Sequence, residues 1–244
     1  MAAKKKSRRK KKTTRPRRYR KIQRDPGDHQ RNYYVVDANF LANKFIPVTC
    51  APAGKQQTRI EACMDWWREI DAQLRARDAR VYVPDVCIAE AFKVLAKKYY
   101  REKWFRFPAQ HKSARDRLSK TLRITSKTLR AKEREIRYHD IETNRDIIIA
   151  VDRFYEVINK AKQQPKPKPG QTTPPQPRPV EVSVPDLLIL SSAKYLMDFY
   201  DIPRERLHIV TLDRGLRTAT QSIQELPNTY DPTLSDDAAA RIFV

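Results

Sequence analysis

Three short runs along the chain are apolar without polar alternation: Tyr33–Val36, Val81–Val83 and Ile209–Leu212. That pattern predicts strands buried on both faces, the signature of a covered parallel sheet. Between them apolar positions recur at helical spacing. Ile60, Met64, Trp67, Ile70 and Leu74 form one such stripe, Ile88, Phe92, Leu95 and Tyr99 a second, and Leu188, Leu196 and Tyr200 a third. Strands alternating with helices predict an α/β protein whose central sheet is parallel and covered by helices. Two joints are alike, Val81-Tyr-Val-Pro-Asp85 and Val182-Ser-Val-Pro-Asp186. Shared turn chemistry accounts for both.

The pattern fails in two places. Residues 1–30 have almost no large aliphatic side chains, so burial cannot offset the entropy of ordering them, and a disordered tail is expected. The folded domain then runs over 31–244. Residues 104–180 read as an insertion in it. From Lys112 to Arg137 there are ten basic residues against three acids, with thin apolar support from Leu118, Leu122 and Leu129. A second helix with Ile147, Ile148, Val151, Phe154, Tyr155 and Ile158 has a face to bury. The Pro-rich stretch from Gln163 to Pro179 is expected to be extended. The whole reads as a basic helical hairpin tied back by a semi-rigid loop.

Charge narrows the function. The net charge is +22, of which 14 positive charges lie in residues 1–24 where there is no acid, leaving +8 for the rest. So large an excess answers a polyanion such as nucleic acid. Binding by the tail alone is expected to be salt-dependent and indifferent to sequence. The run Lys4-Lys-Lys-Ser-Arg-Arg-Lys-Lys-Lys also has the composition of a nuclear address, should the host have a nucleus. Cys50, Cys63 and Cys87 are widely spaced with no Cys/His pairing suited to zinc, which fits a reducing, cytoplasmic setting. No apolar stretch reaches the roughly 20 residues that cross a bilayer, so no membrane association is expected. His29, His111, His139 and His208 are scattered, and Trp66, Trp67, Trp104, Tyr99 and Tyr100 lie among aliphatics at helical spacing. The histidines are given no catalytic role, and most of the Trp and Tyr rings are expected in the core or an interface.

The candidate chemistry lies in Asp37, Glu90, Asp186 and Asp213, each just past an apolar run. In an open parallel sheet that is where residues are delivered to a shared crevice. Asp37 closes an aliphatic strand, a position that seldom serves packing. Glu90 borders the apolar side of its helix, where an unpaired acid is costly. Asp186 follows a proline and would serve equally as a helix cap, and Asp213 before Arg214-Gly215 as a turn residue. Unpartnered acids that meet repel one another, so a converging set implies a divalent cation.

In their order, these strings resemble the acidic signature of the PIN domain, a family of metal-dependent nucleases. Asp37, Asn39 and Leu41 match its first motif, Glu90 its second, Asp186 with Ile189 and Ala193 its third, and Thr211 with Asp213, Arg214 and Leu216 its fourth. The matches span residues 33–216 apart from the insertion. Asp146, in Arg145-Asp-Ile-Ile-Ile-Ala150, is a rival third acid, ranked below Asp186 because no strand-like run precedes it.

The resemblance implies a three-layer α/β/α sandwich. It implies an enzyme in which Asp37, Glu90, Asp186 and Asp213 hold Mg²⁺ or Mn²⁺, directly or through water, with Asn39 and Thr211 as supporting or phosphate contacts. A metal-activated water would then cut a phosphodiester bond, in RNA rather than DNA by analogy with the family. Lys112, Arg115, Lys120, Arg123, Lys127 and Arg130 are candidate nucleic-acid contacts, unless that helix is an ordinary solvated one. A non-catalytic nucleic-acid-binding or ribosome-associated protein with a vestigial acidic pocket is the alternative, and a DNA-directed 5′ nuclease a third reading. The sequence is compatible with a homodimer and identifies no inhibitor or antitoxin.

Overall fold

The structure, a computed structural model, describes residues 30–123, 138–162, 182–221, 223–234 and 242–243. The basic tail, the Pro-rich stretch, Lys127 and Arg130 lie outside them. Five strands form one sheet: β1 (Asn32–Val36), β2 (Ala79–Pro84), β3 (Tyr138–Ile141), β4 (Leu207–Val210) and β5 (Asn228–Tyr230). Their order is β3-β2-β1-β4-β5, and every pairing is parallel. Tyr33, Val35 and Val36 of β1 pair in register with Leu207, Ile209 and Val210 of β4. Parallel neighbours need helical crossovers, and these cover the sheet in a three-layer α/β/α arrangement.

The helices are α1 (Ala38–Asn43), α2 (Lys55–Ala76), α3 (Asp85–Tyr100), α4 (Pro108–Leu122), α5 (Arg145–Lys162), α6 (Val184–Tyr200) and α7 (Arg214–Gln221). The chain moves from β1 outward to β2 and β3, then crosses back through α5 and α6 to β4 on the other side of β1. Strand order therefore reverses between β1 and β4. That is the point at which a crevice opens beyond the carboxyl ends of the strands.

The core sits on both faces of β1, β2 and β4. Every residue of β1 and β4 is buried, together with Ile60, Cys63, Trp66, Trp67 and Ile70 of α2 and Cys87, Ala91 and Leu95 of α3. Phe40 of α1 stacks on Trp67 with ring centroids 4.6 Å apart, and Trp67 faces Tyr138 of β3 at 5.7 Å. His208 is buried between Tyr34 and Tyr230, so it is part of the packing. Among the described residues no helix is long and apolar enough to cross a membrane.

Residues 104–180 differ from the expected insertion. The segment supplies β3, which pairs with β2, and α5, which packs on α6 and buries Ile147, Phe154 and Ile158. It is part of the sheet and its cover. Tyr138-His-Asp-Ile141 is too short and too polar to announce a strand, because an edge position demands little apolar character. Within α5, Ile148 and Tyr155 turn outward with Ile149, so the burying face is narrower than its apolar content suggests. The mostly solvated character expected of α4 holds: His111, Ala114 and Leu118 are buried, while Lys112, Arg115, Lys120 and Arg123 are exposed.

Candidate active site

Asp37 is the residue that follows β1, and its backbone is fixed on both sides. Its N–H donates to the carbonyl of Val210 at 3.1 Å, extending the β1–β4 ladder, and its own carbonyl accepts from Leu41 at 3.0 Å in α1. Its side chain is 4% exposed. One oxygen, Oδ1, accepts the Phe40 N–H at 2.7 Å, so Asp37 caps α1. The other, Oδ2, accepts the Thr211 hydroxyl and the Leu212 N–H, the latter at 3.2 Å. Burial pushes the Asp37 carboxyl up to about 6, and these hydrogen bonds hold it from rising further.

Thr211 links two acids. Fully buried just past β4, it donates its hydroxyl to Asp37, while its Oγ1 accepts the Asp213 N–H at 2.9 Å. Asp213 is exposed and caps α7 by accepting the Leu216 N–H at 2.9 Å on Oδ1. Asp186 stands in the first turn of α6. Its Oδ2 accepts the N–H and the hydroxyl of Ser183 at 3.0 and 2.6 Å, a capping box. Burial pushes the Asp186 carboxyl up, and the negative charge of Asp213 adds to that rise. Glu90 is half-buried in the second turn of α3 and makes no side-chain hydrogen bond among the described residues.

The acids come from four places in the fold: Asp37 follows β1, Glu90 lies in α3, Asp186 opens α6 and Asp213 follows β4. Cys87, buried in α3, has its thiol pushed well up by burial first, and then by the charges of Asp37, Glu90 and Asp186. One sulfur feels three carboxylates. Among the described residues none of the four acids has a Lys or Arg ion-pair partner. Asp186 and Asp213 each keep one oxygen clear of the capping bonds, and Glu90 keeps both. Equally, no three His, Cys, Asp or Glu side chains among the described residues are gathered tightly enough to chelate an ion unaided. The four acids offer hard oxygen donors with spare lone pairs.

Comparison with known proteins gives no family model that matches the chain and no curated protein that matches it. Among the solved structures similar to the chain are two toxin–antitoxin complexes. One is VapBC2 from Rickettsia felis bound to a DNA fragment from their promoter, at 12% identity and a TM-score of 0.43, covering 82% of this chain and 98% of that one. The other is VapBC-1 from nontypeable Haemophilus influenzae, at 14% identity and a TM-score of 0.39, with the same two coverages.

Asn39 is exposed on α1, two residues from Asp37, and makes no side-chain hydrogen bond among the described residues. Asp146 is exposed in the first turn of α5, and a strand does precede it, since β3 ends at Ile141. β3, the edge strand before it, is two positions from β1 in the sheet. A residue that no sequence signal marks is Arg59 of α2, whose guanidinium donates to the Leu212 carbonyl at 3.0 Å and so braces the joint that carries Asp213.

Proposed function

We propose that the chain is a PIN-like nuclease in which Asp37, Glu90, Asp186 and Asp213 hold Mg²⁺ or Mn²⁺, largely through water, and in which water cleaves a phosphodiester bond. What supports this reading is that Asp37 and Asp213 follow neighbouring strands at the reversal point of a parallel sheet and are joined through Thr211, and that the charges of Asp37, Glu90 and Asp186 all act on the Cys87 thiol. Crowded carboxylates are tolerated when a cation joins them. A bound ion of this kind would supply a water of lowered pKa and would offset charge on the departing oxygen.

The remaining work falls to the chain. Asp37 is preorganised by three hydrogen bonds, so its carboxylate needs no reorientation when an ion arrives. Thr211 holds Asp37 and the Asp213 backbone in one register. Asn39, exposed on α1 two residues from Asp37, would donate to a phosphate oxygen. RNA as the favoured substrate rests on the family resemblance. No side chain in this scheme acts as a nucleophile.

A labelled single-stranded RNA incubated with the protein and Mn²⁺ is expected to be cut, and EDTA to stop the cutting. DNA of the same sequence and a flapped duplex are the comparison substrates. Intact RNA at every Mn²⁺ concentration, with binding retained, would favour the second reading, a nucleic-acid-binding protein with a vestigial pocket. The helix-capping duties of Asp37, Asp186 and Asp213 are the observation in favour of that alternative.

Thr211→Val tests the positioning role. The shape is kept, but Asp37 loses the side-chain donor that favours its charged form. Its carboxyl should rise further, moving the acid limb of the rate profile to higher pH, and the rate should fall about 10- to 100-fold as supporting contacts to metal ligands are lost. Thr211→Ser should recover most of both. A profile unmoved by Val would remove Thr211 from the mechanism.

A further inference from the structure

Around the chain neighbours of Asp213 lies a groove of about 1260 Å³ between α2 on one side and the β4–α7 joint with residues 231–234 on the other. Leu212 and Arg214 both line it, so it opens directly next to Asp213. Its charges divide into two groups. Arg68 is paired with Asp65, and Arg217 with Asp231 at 3.1 Å, so these four cancel. Lys55, Arg59 and Arg214 remain, opposed by Glu69. Lys55 and Arg214 are exposed and have no acidic partner among the described residues. Arg59 is anchored through one nitrogen to the Leu212 carbonyl, which fixes the head group at the groove wall. Helix α2 also begins here at Lys55, and Gly54 before it supplies no capping side chain. Its first-turn amides add partial positive charge to the same end.

We propose that this groove carries the sugar-phosphate backbone of a single-stranded nucleic acid toward the acids, with Lys55, Arg59 and Arg214 contacting phosphates. The proposal rests on the nuclease reading for what happens at the end of the path, but not for the binding itself. A polyanion fits, because the lining leaves unpaired cations on one wall and at the joint, with the spare acid further along α2. Stacking of a base on Trp66 does not fit. Trp66, the large ring of the floor, is buried against Tyr230 and Phe243, and offers no open face for stacking. Contacts to phosphate alone position a strand without selecting its sequence. The groove also provides a path distinct from the basic helix α4, which packs on α3.

The test uses the full chain in EDTA, where no cleavage intervenes. Anisotropy of fluorescein-labelled 12-nucleotide single-stranded RNA is followed from low to high salt. Lys55→Glu with Arg214→Glu is compared with Lys112→Glu with Arg115→Glu, which changes net charge equally on α4. The groove variant is expected to bind at least about tenfold more weakly. Its plot of log affinity against log salt should flatten by about 1.4, since each single-strand phosphate contact contributes about 0.7. The α4 variant should stay within about threefold of the unaltered protein, and oligo-A and oligo-U should bind alike. Unchanged affinity and slope in the groove variant, or an equal loss in the α4 variant, overturns the proposal, thermal melting having shown both variants folded. Failure of the nuclease reading would look different: groove-dependent binding with no cutting in Mn²⁺.

Discussion

Asp37→Asn is expected to lower Mn²⁺-dependent cleavage by about 10³-fold or more, the rate equivalent of ~4 kcal/mol. That size follows from losing a carboxylate that holds the ion, since metal-borne charge stabilisation is worth several kcal/mol. The same substitution has a signature that needs no turnover. The Asp37 carboxyl is pushed by burial from 3.8 to about 6, so the folded protein favours its neutral form. A group raised in that way contributes its full stability below pH ~4 and loses it as pH rises through about 6. At neutral pH the buried charge costs ~3 kcal/mol. Asn removes that cost, but its amide turns a donor toward the Leu212 N–H, which loses its acceptor at a cost of ~1–3 kcal/mol.

Without metal, Asp37→Asn should therefore melt at or above the unaltered protein at pH 7, with any advantage shrinking toward pH 4. Mn²⁺ separates the two proteins. At a concentration 100 times its Kd the ion stabilises the unaltered chain by about 2.7 kcal/mol, or roughly 5–10 °C for a domain of this size. The variant should show no such shift. Equal cleavage, or an equal Mn²⁺ shift in the variant, would take Asp37 out of the site.

What the sequence made legible depended on burial. The runs Tyr33–Val36, Val81–Val83 and Ile209–Leu212 announced β1, β2 and β4, because central parallel strands must be apolar on both faces. β3 and β5 escaped notice: Tyr138-His-Asp-Ile141 and Asn228-Thr-Tyr230 are edge strands, short and only partly covered. That omission turned a piece of the sheet into a supposed insertion.

The acids were singled out for a related reason. A carboxylate closing an apolar strand seldom serves packing, which singled out Asp37, but the hydroxyl of Thr211 bridging it to the Asp213 backbone was not foreseen. Their capping bonds could not be foreseen in detail, since Ser183 with Asp186 and Asp213 with Leu216 depend on where each helix begins. The groove beside Asp213 was invisible. It is built from Lys55 and Arg59 more than 150 positions before Arg214, and no local pattern relates them.

Trp67→Ala should be the most damaging single change to the fold, because one ring supports both the core and the acid end of the sheet. Trp67 is 1% exposed. It stacks on Phe40 and Tyr138, lies beneath the Lys44 ammonium at 4.2 Å, and donates its indole N–H to the Phe40 carbonyl at 3.0 Å. Truncating so large a buried ring costs ~3–5 kcal/mol. That is a large fraction of the 5–15 kcal/mol that holds a typical domain together, and it corresponds to a fall of about 10 °C or more in Tm.

Phe40 transmits the loss to the site, since its N–H binds Asp37 Oδ1 while its carbonyl is held by Trp67. Trp67→Phe keeps most of the stacking and removes the indole donor. It should cost about 1–3 kcal/mol, the usual range for leaving a buried acceptor unpaired, while the Mn²⁺-induced shift in Tm survives. A Trp67→Ala protein that melts within about 2 °C of the unaltered chain would show that the Phe40–Trp67–Tyr138 stack does not anchor α1. The preorganisation of Asp37 would then have to come from the β1–β4 ladder and Thr211 alone.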